Sequence, residues 1–206
     1  MAELFATLVI LTMVLIVLIA VRPSLTRTQG GKALAFVALF VLPVASTRAG
    51  FRLHYASTKE ARFCLSCHVM EPYGESLLVE DESYLAAAHF QNRRVDRKYA
   101  CFECHTRYTI FGDMKAKMTG LKHAWIYYTD QVPEKIESYR AYSNRECLYC
   151  HTGSRSYEDL HADEAEALAG NETSCMECHD TIHDVKTAVH LERWKPSVEV
   201  MLKETP

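Results

Sequence analysis

Two apolar runs open the chain, and a mostly polar remainder follows them. Residues 4–21 are apolar apart from Thr7 and Thr12. A helix of this run would be about 27 Å long, close to the hydrocarbon thickness of a bilayer. A weaker apolar run covers residues 33–45 and continues to Phe51. Pro43 is expected to kink this second helix, and Arg48 to reach the interface. The pattern predicts a transmembrane helix hairpin with spans at 4–21 and about 33–49.

A cleaved signal peptide is the alternative interpretation of the first run. Such peptides begin with a basic segment and end at a small-residue cleavage site. This chain has Glu3 near its start and Val21-Arg22-Pro23 after the run, which favours a retained span. The loop at residues 22–32 carries three basic residues and no acidic one. The positive-inside rule therefore predicts a cytoplasmic loop, with both termini on the opposite, periplasmic side.

Beyond the spans, apolar spacing and breakers predict short helices at residues 84–91, 113–129, 156–169 and 181–194. Ser83 and Ser156 are candidate caps, and Gly170-Asn171 is a candidate stop. The 113–129 helix carries an apolar stripe, for which packing against a cofactor is favoured over metal ligation by its methionines. The stripe consists of Met114, Met118, Leu121, Trp125 and Tyr128.

All eight cysteines fall within four copies of Cys-x-x-Cys-His, the attachment signature of c-type haem. On a helix, the two sulfurs and the imidazole of each copy share one face, so both thiols can bond to one porphyrin. The copies are Cys64, Cys67 and His68; Cys101, Cys104 and His105; Cys147, Cys150 and His151; and Cys175, Cys178 and His179.

Other functions of paired cysteines do not account for four identical motifs that each end in histidine. Zinc sites need no histidine directly after each pair, and thioredoxin-like motifs occur singly in βαβ units. A disulfide framework would make four identical motifs accidental. The formal charge is −3, and basic residues are not concentrated in any one element, which argues against nucleic-acid binding.

We therefore predict a mainly α protein, with a membrane anchor at residues 1–51 and a compact domain at 52–206. This domain would hold four covalently attached haem c groups and little regular structure beyond short helices.

Axial ligands for these haems can be counted from the histidines. Of ten histidines, four lie in motifs, and the six others are His54, His89, His123, His161, His183 and His190. Each could be an iron ligand or a hydrogen-bonded polar residue of the core. The count permits bis-histidine ligation at three or four haems, with Met70 available at the first. His183 and His190 are seven residues apart and would share a helical face.

With these motifs, the chain resembles the NapC/NirT family of membrane-anchored tetrahaem quinol dehydrogenases, which includes NrfH-like and CymA-like proteins. The likeness rests on the membrane segment followed by Cys-x-x-Cys-His-x-Met70, and on His89-Phe-x-Asn92. It rests also on Lys117-Met118, on His161, and on a last motif followed by His183. Two departures are the second predicted span and His123, where many members have an acidic residue.

The resemblance implies the roles of particular residues. Met70, rather than His68, would ligate the first haem, and His89, His161 and His183 would complete the others. Lys117 matches the position thought to contact quinol, and pairing with Asp113 at i, i+4 is the alternative. His123 would either accept a proton or ligate the first haem iron. The candidate quinol-site residues are thus Lys117, His123 and Asp113.

The resulting expectation is an electron-transfer subunit, a quinol dehydrogenase of the bacterial inner membrane with its haem domain in the periplasm. It would take electrons from the membrane quinone pool to a periplasmic reductase or cytochrome. The reverse flow, from a periplasmic oxidase to quinone, is an alternative. Another is an anchoring role, in which the second span binds other membrane subunits. A multihaem nitrite or hydroxylamine reductase is disfavoured, because no Cys-x-x-Cys-Lys variant is present.

Overall fold

The two apolar runs form two long helices in a computed structural model, which describes residues 2–132, 142–198 and 202. Helix α1 spans Ala2–Val21, a 3-10 helix spans Pro23–Arg27, and α2 spans Gln29–Ser57. Both helices are long and apolar enough to cross a membrane. They contain the predicted spans 4–21 and 33–49, and α2 is longer than its prediction at both ends.

A π-helical turn lies just before Pro43, the residue at which a kink was predicted. Val37–Val41 form this turn inside α2, and the N–H of Leu42 bonds to the carbonyl of Val37, five residues earlier. Proline has no N–H to continue the regular ladder, and a wider turn just before it absorbs the mismatch. The helix then continues to Ser57.

Small residues line the contact between α1 and α2. Thr12, Ala38, Ser46 and Ala49 are buried, whereas the large apolar side chains of both helices are mostly exposed. The hydroxyls of Thr12 and Ser46 each donate to the carbonyl four residues earlier, at 2.6 and 2.8 Å. Close approach through small residues is typical of helix pairs in membranes, where large apolar side chains face the lipid.

The chain divides into two units, Met1–Lys59 and Glu60–Pro206. The helices of the second unit are short: α3 Ala61–Cys64, α4 Glu71–Glu75, α5 Leu85–Gln91, α6 Ala100–His105, α7 Gly112–Tyr128, α8 Asn144–His151, α9 Arg155–Leu160, α10 Ala165–Gly170, α11 Cys175–Cys178 and α12 Val185–Ala188. Between them lie 3-10 turns at His68–Met70, Ser76–Leu78 and Arg97–Tyr99. Among the described residues there is no strand, only an isolated antiparallel bridge between Val79 and Arg193. The prediction of a mainly α fold is confirmed.

The apolar core of the second unit is small. One cluster contains Leu77, Leu78, Phe90, Ala100 and Val198, and another contains Val79, Tyr84, Ala87 and Ala188. A domain of this length normally has a larger contiguous core. A small core is what we expect where porphyrins fill the interior.

Two of the four short helices predicted in this unit differ from the structure, whereas α5 (Leu85–Gln91) agrees with the predicted 84–91 helix to within one residue. The predicted 156–169 helix is two helices, α9 and α10, with His161 at the end of the first. Of the predicted 181–194 helix, only α12 is helical, so the prediction that His183 and His190 share a helical face is wrong. Ser83 and Ser156 are not caps, because Tyr84 and Ser154 occupy those positions. The predicted stop after Gly170 is confirmed, since Asn171 is left-handed at φ 60°.

The longest helix of this unit, α7, agrees with its predicted bounds but presents its apolar stripe outward. Met114, Met118, Leu121, Trp125 and Tyr128 are between 49% and 84% exposed. Gly112 is buried and Ala116, Thr119 and Ile126 are half-buried, so small and β-branched residues form the inward face. The stripe therefore packs on no protein core within the described part of the chain.

Candidate haem-binding site

The four motifs differ in backbone conformation. In the second and third motifs, α6 and α8 continue through His105 and His151, so the predicted shared face is confirmed there. In the fourth, α11 ends just before His179. The first motif departs further, because α3 ends at Cys64 and Cys67 is extended, at φ −94° and ψ 121°. The prediction of a shared helical face is wrong for this motif.

The residues that follow the cysteines of the first motif form a turn rather than a continued helix. A 3-10 turn spans His68–Met70, and the N–H of Met70 donates to the carbonyl of Cys67 at 2.8 Å. The side chain of His68 is exposed, and that of Met70 is half-buried. Met70 thus lies three residues beyond the extended Cys67, directly before α4.

Three motif histidines each lie beside one histidine from elsewhere in the chain. The ring centroids of His89 and His151 are 6.0 Å apart. Those of His105 and His183 are 6.3 Å apart and nearly parallel, with 15° between the planes. The centroids of His161 and His179 are also 6.3 Å apart. Every pair combines one motif histidine with one of the three histidines that the resemblance had implied.

These separations fit an iron atom between the rings. Metal–imidazole bonds are about 2 Å long, so an ion bonded to both rings holds their centroids roughly 6 Å apart. Two imidazoles joined directly by a hydrogen bond would lie closer, at about 5 Å. The three spacings are longer than that of a hydrogen-bonded pair and match the one expected for two imidazoles on one metal ion.

The outer nitrogens of the three non-motif histidines all have partners. Nδ1 of His89 lies 2.8 Å from the carbonyl oxygen of Leu85, and Nδ1 of His161 lies 3.0 Å from that of Tyr157. Nδ1 of His183 lies 2.8 Å from the hydroxyl of Ser76. Metal-ligating histidines almost always donate their second ring N–H in this way, which leaves Nε2 for the metal.

Burial also favours the neutral form of several of these imidazoles. It is the main cause that lowers the pKa of His183 to about 4, with the charge of His105 adding to it. Burial likewise lowers the pKa of His105 and of His151. Neutral imidazole is the form that ligates a metal, because only it has a free lone pair.

The cysteines bring successive motifs together. As free thiols, Cys101 donates a hydrogen bond to Cys64, which is the main cause that lowers the pKa of Cys64 to about 7. Cys147 likewise shares a hydrogen bond with Cys175. Burial raises the pKa of Cys104 to about 11, and the nearby charges of Glu103 and Cys150 add to this. The first motif therefore adjoins the second, the second the third, and the third the fourth.

Two of the candidate quinol-site residues lie near the first two motifs. Nζ of Lys117 lies 4.6 Å above the ring of Phe102, inside the second motif, and its charge contributes to the lowered pKa of Cys64. Burial is the main cause that lowers the pKa of His105, and the charge of the nearby His123 lowers it further. The structure thus associates Lys117 with the first two motifs and His123 with the second.

Asp113 lies beside Thr106, the residue that follows the second motif. Its Oδ1 accepts a hydrogen bond from the hydroxyl of Thr106 at 3.1 Å. It also lines an open groove of about 660 Å³, which Lys117 and His123 do not line. The walls of this groove include Arg107, Tyr108, Phe111, Lys115, Arg145 and Tyr149.

Sequence reasoning missed Ser76 as the hydrogen-bond partner of a candidate ligand histidine, His183. It is 107 positions from His183, and no local pattern connects the two. The carbonyl partners of His89 and His161 could have been foreseen, because each lies four residues before its histidine, within helical reach.

Comparison with known proteins gives a family and two relatives. The family model described as NapC/NirT cytochrome c family, N-terminal region, matches residues 26–189. The chain is 27% identical over 151 residues to the cytochrome c-type protein NapC of Haemophilus influenzae, covering 65% of this chain and 71% of that protein. It is 29% identical over 165 residues to the cytochrome c-type protein TorC of Escherichia coli, covering 71% of this chain but 38% of TorC. No solved structure matches the chain.

Proposed function

The chain belongs to the NapC/NirT cytochrome c family, and from this membership we propose that it is a membrane-anchored tetrahaem quinol dehydrogenase. It would oxidise quinol from the membrane pool and deliver the electrons to a periplasmic reductase or cytochrome. Family membership itself means that the chain carries covalently bound haem and transfers electrons. The observation that carries the finer proposal is the set of three histidine pairs spaced for iron.

From these pairs we propose two protein ligands for each of three haems. His105 and His183 would hold the second haem, His89 and His151 the third, and His161 and His179 the fourth. Each pair includes the histidine of the motif whose cysteines attach that haem. Bis-histidine ligation gives low-spin iron, which exchanges single electrons with little change in its coordination.

Met70 is the proposed protein ligand of the first haem. The first motif is the one whose helix stops at its first cysteine, and the half-buried Met70 follows its histidine by two residues. A thioether is also a weaker electron donor than imidazole, and it raises the potential of haem iron. A first haem of higher potential suits the acceptance of electrons from quinol.

Four haems should be attached to the chain, one for each motif. Intact-mass spectrometry of the full-length protein, purified after expression with a haem c maturation system, should show four haem additions. A matched variant, Cys175→Ala with Cys178→Ala, should show three. Three or fewer additions in the wild-type chain would contradict the proposed count.

Quinol oxidation releases two electrons and two protons, so the site needs a proton acceptor and a cation near the first haem. We propose Lys117 as the group that contacts the quinol oxygen, since it lies beside the first two motifs. His123 would accept a proton, and Asp113 would orient the start of α7. The exposed apolar stripe of the same helix would meet the isoprenoid tail or the lipid around it.

The direction of flow can be tested in membranes that contain the full-length protein. Menaquinol and ubiquinol analogues are added in turn, and the fraction of haem reduced is followed by absorbance before excess dithionite is added. Rapid reduction by at least one quinol would support the proposal. Reduction by dithionite alone would contradict quinol oxidation.

An anchoring role within a larger respiratory complex is the second candidate, in which electrons could also flow from a periplasmic oxidase to quinone. The observation that favours it is the second apolar helix, α2, which is long enough to cross a membrane beside α1. One span would suffice to tether a haem domain. A second provides apolar surface for another membrane subunit.

The proposed location is the bacterial inner membrane, with the haem domain in the periplasm. Residues 22–32 carry three basic residues and no acidic one, so this loop should be cytoplasmic. Alkaline phosphatase, active only in the periplasm, should therefore be active when fused at the N-terminus and inactive when fused within this loop. The opposite pattern would contradict the hairpin orientation.

A further inference from the structure

One of the three non-motif histidines differs from the others in what accepts its Nδ1 proton. His89 and His161 donate to backbone carbonyls of their own helices, at Leu85 and Tyr157. His183 lies instead beside a side-chain hydroxyl, that of Ser76, at 2.8 Å. No side-chain substitution at the acceptor can remove the first two hydrogen bonds, whereas one substitution can remove the third.

The hydrogen-bonding of Ser76 determines the tautomer of His183. The Ser76 hydroxyl lies 2.8 Å from the carbonyl oxygen of Tyr73, which can only accept a hydrogen bond. The single hydroxyl proton therefore points to Tyr73, and a lone pair of Oγ faces the imidazole. Nδ1 of His183 must then carry a proton, which leaves the lone pair of Nε2 free.

Ser76 is enclosed, so water does not compete for this hydrogen bond. Its relative exposure is 0%, and the ring of Tyr73 meets that of His183 edge-on, with centroids 5.7 Å apart. A hydrogen bond in such a place is stronger than one in water, and its loss is not compensated by solvent.

Several contacts hold the segment after His183 against the segment that carries Ser76. Arg193 forms a bidentate ion pair with Glu75, with N–O distances of 2.8 and 2.9 Å. The N–H of Trp194 donates to the carbonyl of Leu78 at 2.9 Å, and that of Glu80 donates to the carbonyl of Glu192 at 3.0 Å. The approach of Ser76 to His183 is therefore built into the packing of two chain segments.

We propose that Ser76 is a positioning residue that fixes the tautomer of His183 and lowers the redox potential of the second haem. The inference rests on the proposed ligation of that haem by His105 and His183. A hydrogen bond accepted from Nδ1–H makes the imidazole a better electron donor, which stabilises ferric iron. Ser76 lies six positions after Met70, so one short segment would tune both the first and the second haem.

The test is a redox titration, followed by absorbance, of the purified full-length haem-loaded protein. Ser76→Ala should raise one of the four midpoint potentials and leave the other three unchanged, with all four haems still low spin. One low-spin signal in the electron paramagnetic resonance spectrum should also shift. Ser76→Thr keeps the acceptor and should retain the wild-type potentials. Ser57→Ala is the matched control, because its hydroxyl also donates to a backbone carbonyl three residues earlier, that of His54, at 2.8 Å, and His54 is not one of the proposed ligands.

The outcomes separate this inference from the proposed function. If His183→Ala gives a high-spin haem while Ser76→Ala shifts no potential, Ser76 has no tuning role and the ligand assignment stands. If His183→Ala leaves every haem low spin, the ligand assignment is wrong and the inference falls with it. One measurement needs no variant of Ser76. The Nδ1–H resonance of His183 in the ferric wild-type protein should exchange slowly with deuterium, and fast exchange would overturn the proposal.

Discussion

Replacement of His183 by alanine is expected to convert one haem of the ferric protein from low spin to high spin. The imidazole of His183 lies 6.3 Å from that of His105, and each would supply one axial nitrogen to the same iron. Alanine removes one of the two ligands and leaves an open or water-bound position, which favours the high-spin state. Electron paramagnetic resonance should show one new high-spin signal, while the signals of the other haems remain.

His190 provides the control for this variant. It lies seven residues after His183 and is exposed, at the end of the turn that follows α12. His190→Ala should therefore leave all low-spin signals unchanged. A high-spin signal from His190→Ala, with none from His183→Ala, would exchange their roles. Comparable high-spin signals are expected from His89→Ala and from His161→Ala, each at a different haem.

Much of this site was predictable because the chemistry of haem attachment is local in sequence. Two thiols must reach one porphyrin, so the candidate attachment sites repeat Cys-x-x-Cys-His unchanged. The two long apolar helices were predictable for a similar reason, since a bilayer-spanning helix requires about 20 consecutive apolar residues. These features depend on neighbours in the chain rather than on the tertiary fold.

The pairing of the histidines was not predictable from the residues. His183 follows the fourth motif closely, yet it lies beside the histidine of the second. Its position depends on contacts such as that of Arg193 with Glu75, which join residues 118 positions apart. Local spacing instead predicted one helix at residues 181–194, because it takes no account of the packing that ends α12 after one turn.

The sequence predicts the bounds of α7 but not what its apolar stripe contacts. Its spacing predicts the helix well, and the observed bounds differ by only one residue at each end. The same spacing cannot distinguish a face that meets a protein core from one that meets a cofactor, lipid or quinol. Trp125 and Tyr128 at the end of the stripe are residue types that favour a membrane interface.

Replacement of Lys117 by alanine is expected to slow quinol-driven haem reduction by roughly tenfold to a hundredfold. A hydrogen bond to a charged donor contributes about 1.5–3 kcal/mol, and each 1.4 kcal/mol lost from a transition state costs about tenfold in rate. The ammonium group would stabilise the negative charge that develops on the quinol oxygen as its proton leaves. Stopped-flow absorbance with a soluble quinol analogue measures this rate.

Lys115 is the matched control, because it lies on the same helix two residues earlier and faces the groove lined by Tyr108 and Tyr149. Lys115→Ala removes the same charge from α7 but should leave the quinol rate near that of the wild type. Dithionite should reduce all haems in both variants, since it needs no quinol site. If both variants slowed equally, the overall charge of α7 rather than contact with quinol would be responsible. If Lys117→Ala retained wild-type kinetics, Lys117 would lie outside the site, and the i, i+4 pairing with Asp113 would become the better account of its presence on this helix.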